Sequence, residues 1–425
     1  MERIIVRDVI FKQNRIEYKV EPSEGIAGAF KNPFEYWIEY NENVESVPAS
    51  IAIIPFVCNI LPIVWVADAE LCVPEIDEDF LFSLEDTKKA YTDMYPNIEF
   101  KGKLTAGKHI KNEKTFKNEK RKATAFFSGG VDSWATLVSH IGDDELNLVT
   151  IWGSDVKLND EKSWKKVENY TNEVAANLKS KAVFIKSTFR ESLNYTFLDN
   201  LIEGKVLNNS WWYFIQHGIA LIGHVAPYVY LNNIDTHYIP ASYSSKDVPN
   251  KIASYKTIDE TLKLAWCNVV HDQFDLIRIE RVEKILDWYK KTGESVQIRV
   301  CYSESANGEN CSHCEKCYRT ILEILSFDLN PQDFGFDFST GSIPEMQLYL
   351  YENHARIFED KMSYKYSCYS NIIKNIANNK EILKKSGKLD YLEWILDAED
   401  IKSLKKLKFV REYRMKTKIY KLLHR

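Results

Sequence analysis

Residues 124–134 read TAFFSGGVDSW. A short apolar run meets two adjacent glycines, flanked by Ser128 and Ser133 and followed by Asp132. The texture on either side is strand and then helix: ATAFF is short and apolar, and VDSWATLVSHI carries a helical period. A glycine pair at such a junction permits backbone angles closed to other residues and a close approach to a ligand. The N–H groups at the start of the helix have no carbonyl within it, and the helix dipole favours an anion there. Ser128 and Ser133 add hydroxyls. An aspartate beside an anion makes sense where it holds a cation, and Mg²⁺ shared between carboxylate and phosphate oxygens is such a cation. Ser128, Gly129, Gly130, Val131, Asp132 and Ser133 therefore read as a cradle for a magnesium polyphosphate, with a tight turn capped by Ser and Asp as the plainer alternative. The lysine of GxxxxGK[ST] is missing, and the spacing is not GxGxxG.

Outward from this loop the alternation continues. LNLVTIWG is a strand, EKSWKKVENYTNEVAANLKS an amphipathic helix, AVFIKST a strand, and THYIPAS a further short strand. SWWYFIQHGIALIGHVAPY is apolar nearly all round and reads as one buried helix. Such alternation implies an α/β fold with a parallel sheet, whose sites lie at the carboxyl ends of the strands. Residues 123–330 form this domain. Residues 1–105 read as an α+β domain: RIEYKV and FEYWIEY alternate as half-buried strands, SIAIIPFV and PIVWVA look like fully buried strands, and LFSLEDTKKAYTDMYP reads as a helix capped by Ser83. Residues 106–122 read as a basic linker, and 331–425 as a helical domain.

Composition sets limits on function. The chain has 425 residues, 45% hydrophobic and 28% charged, which suits a multidomain globular protein. The longest apolar stretch is broken by Pro55, Asn59 and Pro62, and the N-terminus lacks a signal-peptide core, so a cytoplasmic protein without a membrane span is expected. Residues 1–100 hold 19 acidic against 8 basic residues, whereas 401–425 hold ten basic against one acidic. The basic blocks allow nucleic acid as a partner without favouring it, and a solvated linker and helix face is the plainer reading. A homodimer is equally allowed.

The second motif is RVCYSESANGENCSHCEKCYRT, residues 299–320. Cys301, Cys311, Cys314 and Cys317 have the spacing C-x9-C-x2-C-x2-C, which lets four thiolates converge on one metal. Tetrahedral Zn²⁺ fits best; an iron–sulfur cluster or a redox-active cysteine are the alternatives. His313 is a spare ligand that four cysteines make unnecessary. A closed set of four thiolates is structural, since it leaves no open position for chemistry.

FFSGGVDS resembles the SGGxDS loop of the N-type ATP pyrophosphatases, the PP-loop enzymes. The resemblance implies an ATP site at which Ser128, Gly129, Gly130, Asp132 and Ser133 grip the phosphates that leave as pyrophosphate. The backbone near Ile151, Trp152 and Gly153 would then meet the adenine. The loop together with the cysteine cluster, ending CEKCYRT with Arg319, is similar to 7-cyano-7-deazaguanine synthase and its relatives, over residues 123–325. Long relatives share segments like VVHD (269–272) and RVEK (281–284). The implied chemistry is adenylation of a carboxylate or carbonyl oxygen of a small acid, followed by nitrogen attack. The cofactors would be ATP, Mg²⁺ and Zn²⁺. Sulfur transfer, as in tRNA thiolation, and a non-catalytic ATP-binding module of a defence system are the other readings.

Several polar residues remain to be placed. Lys246, in the polar stretch after THYIPAS, is expected to counter charge on the adenylate, next to Asp132 as the second catalytic residue. Arg281 and Lys284 could hold an anion together or face solvent. His217 and His224 read as core or cleft histidines, Trp211 and Trp212 as core, and Asp155 as a ribose contact or a surface acid.

Overall fold

The computed structural model describes residues 1–114, 120–247, 251–301 and 309–423. The strands are β1 (Arg3–Lys12), β2 (Arg15–Pro22), β3 (Trp37–Tyr40), β4 (Glu70–Asp77), β5 (Lys103–Ile110) and β6 (Lys122–Phe126), then β7 (Glu145–Trp152), β8 (Lys181–Ser187), β9 (Thr236–Pro240), β10 (Lys263–Leu264) and β11 (Cys267–Asp272). All belong to one mixed, mostly parallel sheet of order β10-β11-β9-β6-β7-β8-β3-β2-β1-β4-β5. The chain is thus α/β.

Five neighbouring strands are parallel, β11-β9-β6-β7-β8. From β6 the chain steps outward to β7 and β8, then returns to the other side of β6 with β9 and β11. The strand order therefore reverses between β6 and β9, and in open α/β sheets the crevice for ligands lies at the carboxyl ends beside such a reversal. Ala123, Thr124 and Ala125 are consecutive and all buried, so β6 is covered on both faces. At the far edge β5 is exposed or half-exposed throughout. Residues 1–105 do not close a sheet of their own: Ile38 of β3 pairs antiparallel with Ser187 of β8, and β2, β1, β4 and β5 follow outward.

The longer helices are α1 (Ile54–Val66), α2 (Glu78–Met94), α3 (Val131–His140), α4 (Glu161–Asn177), α5 (Arg278–Thr292), α6 (Glu315–Ser326), α7 (Ile343–Glu352), α8 (Tyr364–Asn378) and α9 (Lys408–Leu423). No helix among the described residues is long and apolar enough to cross a membrane. The chain packs as two compact units. One comprises Met1–Ser128, Ser139–Ala241 and Asn250–Phe274 and contains the whole sheet; the other comprises Gly129–Val138, Ser242–Pro249 and Asp275–Arg425 and is helical.

Four local expectations need correction. SIAIIPFV and PIVWVA are not strands: Ala49–Ala52 and α1 are helices, buried on every side. A run apolar all round has no period to read, and Pro55 sits in the first turn of α1, where its missing N–H costs nothing. Helix α2 begins earlier than Ser83: Asp77 accepts from the Phe80 N–H at 2.8 Å and caps it, while the buried Ser83 hydroxyl donates to the Phe80 carbonyl at 2.7 Å. SWWYFIQHGIALIGHVAPY is helical as expected but not one uniform helix: a π-helical turn at Trp212–Gln216 runs straight into a helix at His217–Gly223, and a second helix follows at Ala226–Asn232, with Pro227 in its first turn. Lys103–Ile110, at the start of the expected basic linker, is β5; residues 115–119 of that linker lie outside the described residues.

Two buried histidines of the first unit make its stability sensitive to acid. His224 Nδ1 donates to the Ala220 carbonyl (2.6 Å), which leaves Nε2 of the neutral ring to accept from the Ser187 hydroxyl (3.0 Å), and His237 faces the Thr124 hydroxyl at 2.9 Å. Burial lowers His224 to about 4 and His237 to about 3. Their folded pKa values lie below the unfolded value, so below about pH 6.5 the unfolded chain takes up protons that the fold refuses. The stability is complete above that pH and is lost as pH falls toward 4. The expected slope is up to about 1.4 kcal/mol per histidine per pH unit in that window. Thermal unfolding followed from pH 7 to 5 should show it, and His224→Gln with His237→Gln should flatten the curve.

Candidate functional site

The glycine loop joins β6 to α3. Gly129 has φ +80°, a left-handed conformation that favours glycine, and α3 begins at Val131. The Gly130 carbonyl accepts the first helical bond from the Trp134 N–H at 2.9 Å and a second from the Ser133 hydroxyl at 3.0 Å. The N–H groups of Val131, Asp132 and Ser133 thus have no carbonyl within the helix. The Gly129 carbonyl is held from the other side by the Arg299 N–H at 2.7 Å. These contacts fix the loop backbone, and amides at a helix start are donors of the kind an anion site requires.

Asp132, in the first turn of α3, is ion-paired. Its Oδ1 lies 2.9 Å from Nη1 of Arg281 on α5, while Nη2 of the same guanidinium donates to the Tyr243 carbonyl at 2.7 Å. Arg281 is 1% exposed, so it is no solvated helix-face residue. It ties the loop after β6 to the segment that follows β9. Among the described residues Oδ2 of Asp132 has no partner. A second buried arginine, Arg278, pairs with Glu323 (3.0 Å) and donates to the Thr320 hydroxyl (2.8 Å) on α6.

Lys246 is not a bare cation. Its Nζ lies 2.7 Å from both carboxylate oxygens of Glu280, whose Oε2 also accepts the Ile277 N–H at the start of α5. Asp247 accepts from the Ser244 N–H and hydroxyl at 2.8 Å and from the Ser367 hydroxyl at 3.0 Å, which fixes the turn that presents Lys246.

Cys301, Cys311, Cys314 and Cys317 come together with all sulfurs within 4.8 Å of one another. The closer pairs are 3.5 Å (Cys314–Cys317) and 3.9 Å (Cys311–Cys317 and Cys314–Cys301). Four sulfurs at about 2.3 Å from a tetrahedral zinc would stand roughly 3.8 Å apart, so the cluster fits a metal ion such as zinc. The hydrogen bond shared by the Cys314 and Cys317 sulfurs lowers Cys314 to about 5 and, with burial, pushes Cys317 up. The cluster opens α6, and Asn310 binds it to the preceding chain by donating to the Ile298 carbonyl (2.6 Å) and accepting from the Val300 N–H (3.0 Å). His313 stays outside: its side chain is 63% exposed and faces Glu345 at 3.3 Å. Arg319 is buried two residues after Cys317, where it donates to the Cys368 sulfur at 3.3 Å and lies over the Tyr364 ring.

In the first unit, Trp152 and Gly153 end β7. The Trp152 ring stacks on Trp164 (5.0 Å, 4°), lies under the Lys186 ammonium and donates to the Lys157 carbonyl. Gly153 has φ +101°, and a Cβ there would lie 2.0 Å from the Ser187 carbonyl oxygen, so close packing against the end of β8 already demands glycine. His224 and Trp211 are core residues. Trp212 stacks with Arg190, which also donates to the Ser154 carbonyl.

The sequence reading missed one polar group. At the carboxyl end of β11, His271 Nδ1 lies 2.8 Å from Asp259, whose same oxygen accepts from the Ser254 hydroxyl at 2.8 Å. Asp259 is fully buried, and its other oxygen has no partner among the described residues. The motif VVHD marked the histidine; nothing in the sequence marked its acid. A cavity of about 780 Å³, lined by Tyr95, Lys205, Tyr213, Phe214 and Lys251 among others, lies in the first unit and includes none of the loop residues. Comparison with protein-family models, curated proteins and solved structures finds no match to the chain.

Proposed function

We propose that the chain is an ATP-dependent enzyme that cleaves ATP between the α and β phosphates, transfers AMP to a carboxylate or carbonyl oxygen of a small acid, and lets a nitrogen nucleophile displace AMP. One observation carries the reading: SGGVDS, with Gly129 left-handed and α3 starting at once, leaves β6, the strand at which the sheet order reverses. In the first step the acid oxygen attacks the α phosphorus, and pyrophosphate leaves with the electron pair of the broken P–O bond. The amides of Val131, Asp132 and Ser133, with the Ser128 hydroxyl and with the Ser133 hydroxyl once it turns from the Gly130 carbonyl, hold the departing group. Oδ2 of Asp132 is the carboxylate oxygen available to Mg²⁺, which would supply charge neutralisation on the phosphates. In the second step nitrogen forms the C–N bond, AMP departs and the nitrogen sheds its proton.

The fixed positive charge belongs to Arg281 in this reading rather than to Lys246. Arg281 is buried, directed by two bonds and joined to the loop, and preorganised charge of this kind is what stabilises a transition state. Lys246, neutralised by Glu280, orders the turn after β9. The four thiolates hold Zn²⁺ as a structural centre, and their closed set favours nitrogen over sulfur as the nucleophile. The test is direct. Purified protein with ATP, Mg²⁺, ammonium and a panel of carboxylic acids should release AMP and pyrophosphate in equal amounts with at least one acid. Tight ATP binding without either product across the panel would leave a nucleotide-binding module instead.

A further inference from the structure

Helix α9 has an unusual surface. Of the ten exposed large hydrophobic residues among those described, four lie on this one helix: Phe409 (38% exposed), Tyr413 (37%), Met415 (52%) and Tyr420 (63%). Helical spacing puts Phe409, Tyr413 and Tyr420 along one face, at i, i+4 and i+11, with Lys416 between them. Elsewhere on α9 the exposed residues are cationic: Lys408, Arg411, Arg414 and Lys418. The helix is anchored by Val410, which is fully buried, and packs on α7, where Arg414 lies 5.9 Å from the Tyr351 ring centroid. Its aromatic stripe is therefore not left over from an unformed core contact.

A solvated basic helix explains the charge and not the rings. Exposing aromatic side chains to water is unfavourable unless a partner covers them, and contiguous exposed apolar surface marks interaction sites. Residues 401–425 carry ten basic residues and one acidic, so the partner is an anion. Rings interleaved with lysine and arginine are the pattern that binds single-stranded nucleic acid: cations follow the phosphates and flat rings stack on unpaired bases. A duplex offers phosphates but keeps the faces of its bases occupied. A membrane-surface helix would keep its apolar stripe free of charge, where α9 sets Lys416 among the rings of Phe409, Tyr413 and Tyr420.

We infer that α9 is a docking surface for single-stranded nucleic acid, which stacks on Phe409, Tyr413 and Tyr420 and pairs its phosphates with Lys416 within the stripe and Lys408 beside it. This surface is independent of the ATP reaction. The test uses the full chain and fluorescence anisotropy with about 20-nucleotide single-stranded RNA and single-stranded DNA of the same sequence, at several salt concentrations. Binding should weaken with salt, with log K falling by roughly 0.7 per phosphate contact for each unit of log salt. Lys408→Glu with Lys416→Glu, and separately Phe409→Ala with Tyr413→Ala, should each weaken it at least about tenfold, with the chain still folded by circular dichroism. The two nucleic-acid arms show whether RNA or DNA is preferred. No binding, binding indifferent to both variants, loss in the charge variant alone, or binding to anionic phosphatidylglycerol vesicles in place of either strand would each overturn the inference.

Discussion

Cys311→Ser should strip the metal from the protein and lower the unfolding midpoint of the helical unit by roughly 10 °C, which corresponds to about 4 kcal/mol for a domain of this size. The reason lies in what the cluster holds. Cys314 is the residue that caps α6, and Cys317 lies within that helix, fully buried. The next turns of α6 present Thr320 and Glu323 to Arg278, and Arg319 to Cys368. Without a metal, sulfurs 3.5–3.9 Å apart either repel as thiolates or stay protonated in a packed site, so the start of α6 loses its anchor. Glu323 and Arg278 are both buried, and loosening one partner leaves the other a poorly compensated charge. Metal analysis of the purified chain should give about one zinc per molecule, released by chelator in step with unfolding of this unit. His313→Ala should keep the metal, because that ring points at Glu345. Iron in place of zinc, or an unchanged midpoint in Cys311→Ser, would refute the structural role.

The two motifs were readable because each is short and its parts are close in sequence. A strand that ends in two glycines and a capped helix start, or three cysteines at two-residue gaps, needs no distant partner to be recognised. The β6–α3–β7–α4–β8 succession was readable for a related reason: its strands are apolar in sequence and α4 alternates with a clear period. The rest depends on partners far along the chain. Ile38 pairs with Ser187, and nothing local announces that the N-terminal strands extend the central sheet. Residues 49–66 carry no period, since they are buried all round; of the prolines that suggested breaks, Pro55 sits in the first turn of α1, where a helix tolerates it, while Pro62 lies inside α1 and gives up one helical hydrogen bond without ending the helix. Lys246 looked like a free cation because Glu280 is 34 positions away. Arg281 looked like a surface residue because burial of an arginine is set by Asp132, 149 positions upstream, and by a carbonyl of the turn after β9.

Asp132 and Arg281 are where the proposed reaction is most exposed to test, and the choice of substitution matters. Asp132→Ala should reduce AMP and pyrophosphate release about 10²–10³-fold, the cost of losing a preorganised electrostatic contact in a transition state. It also leaves Arg281 buried without its counter-charge, so a fall in stability is expected with it. Asp132→Asn separates the two effects: its amide oxygen still accepts from Arg281 Nη1, but it offers Mg²⁺ no carboxylate. Release in Asp132→Asn should therefore stay low while the unfolding midpoint recovers, and the loss should ease as Mg²⁺ is raised. Arg281→Lys keeps the charge and cannot reproduce two directed bonds from one planar group to Asp132 and the Tyr243 carbonyl, so it should lose most of the activity. Lys246→Ala should cost far less, since Glu280 already neutralises that ammonium and both side chains reach solvent. An active Asp132→Asn would remove the metal from Asp132, and a Lys246→Ala variant less active than Arg281→Lys would return the cationic role to the lysine. The order of these effects, more than any one of them, distinguishes a loop that grips a leaving pyrophosphate from a turn that merely joins β6 to α3.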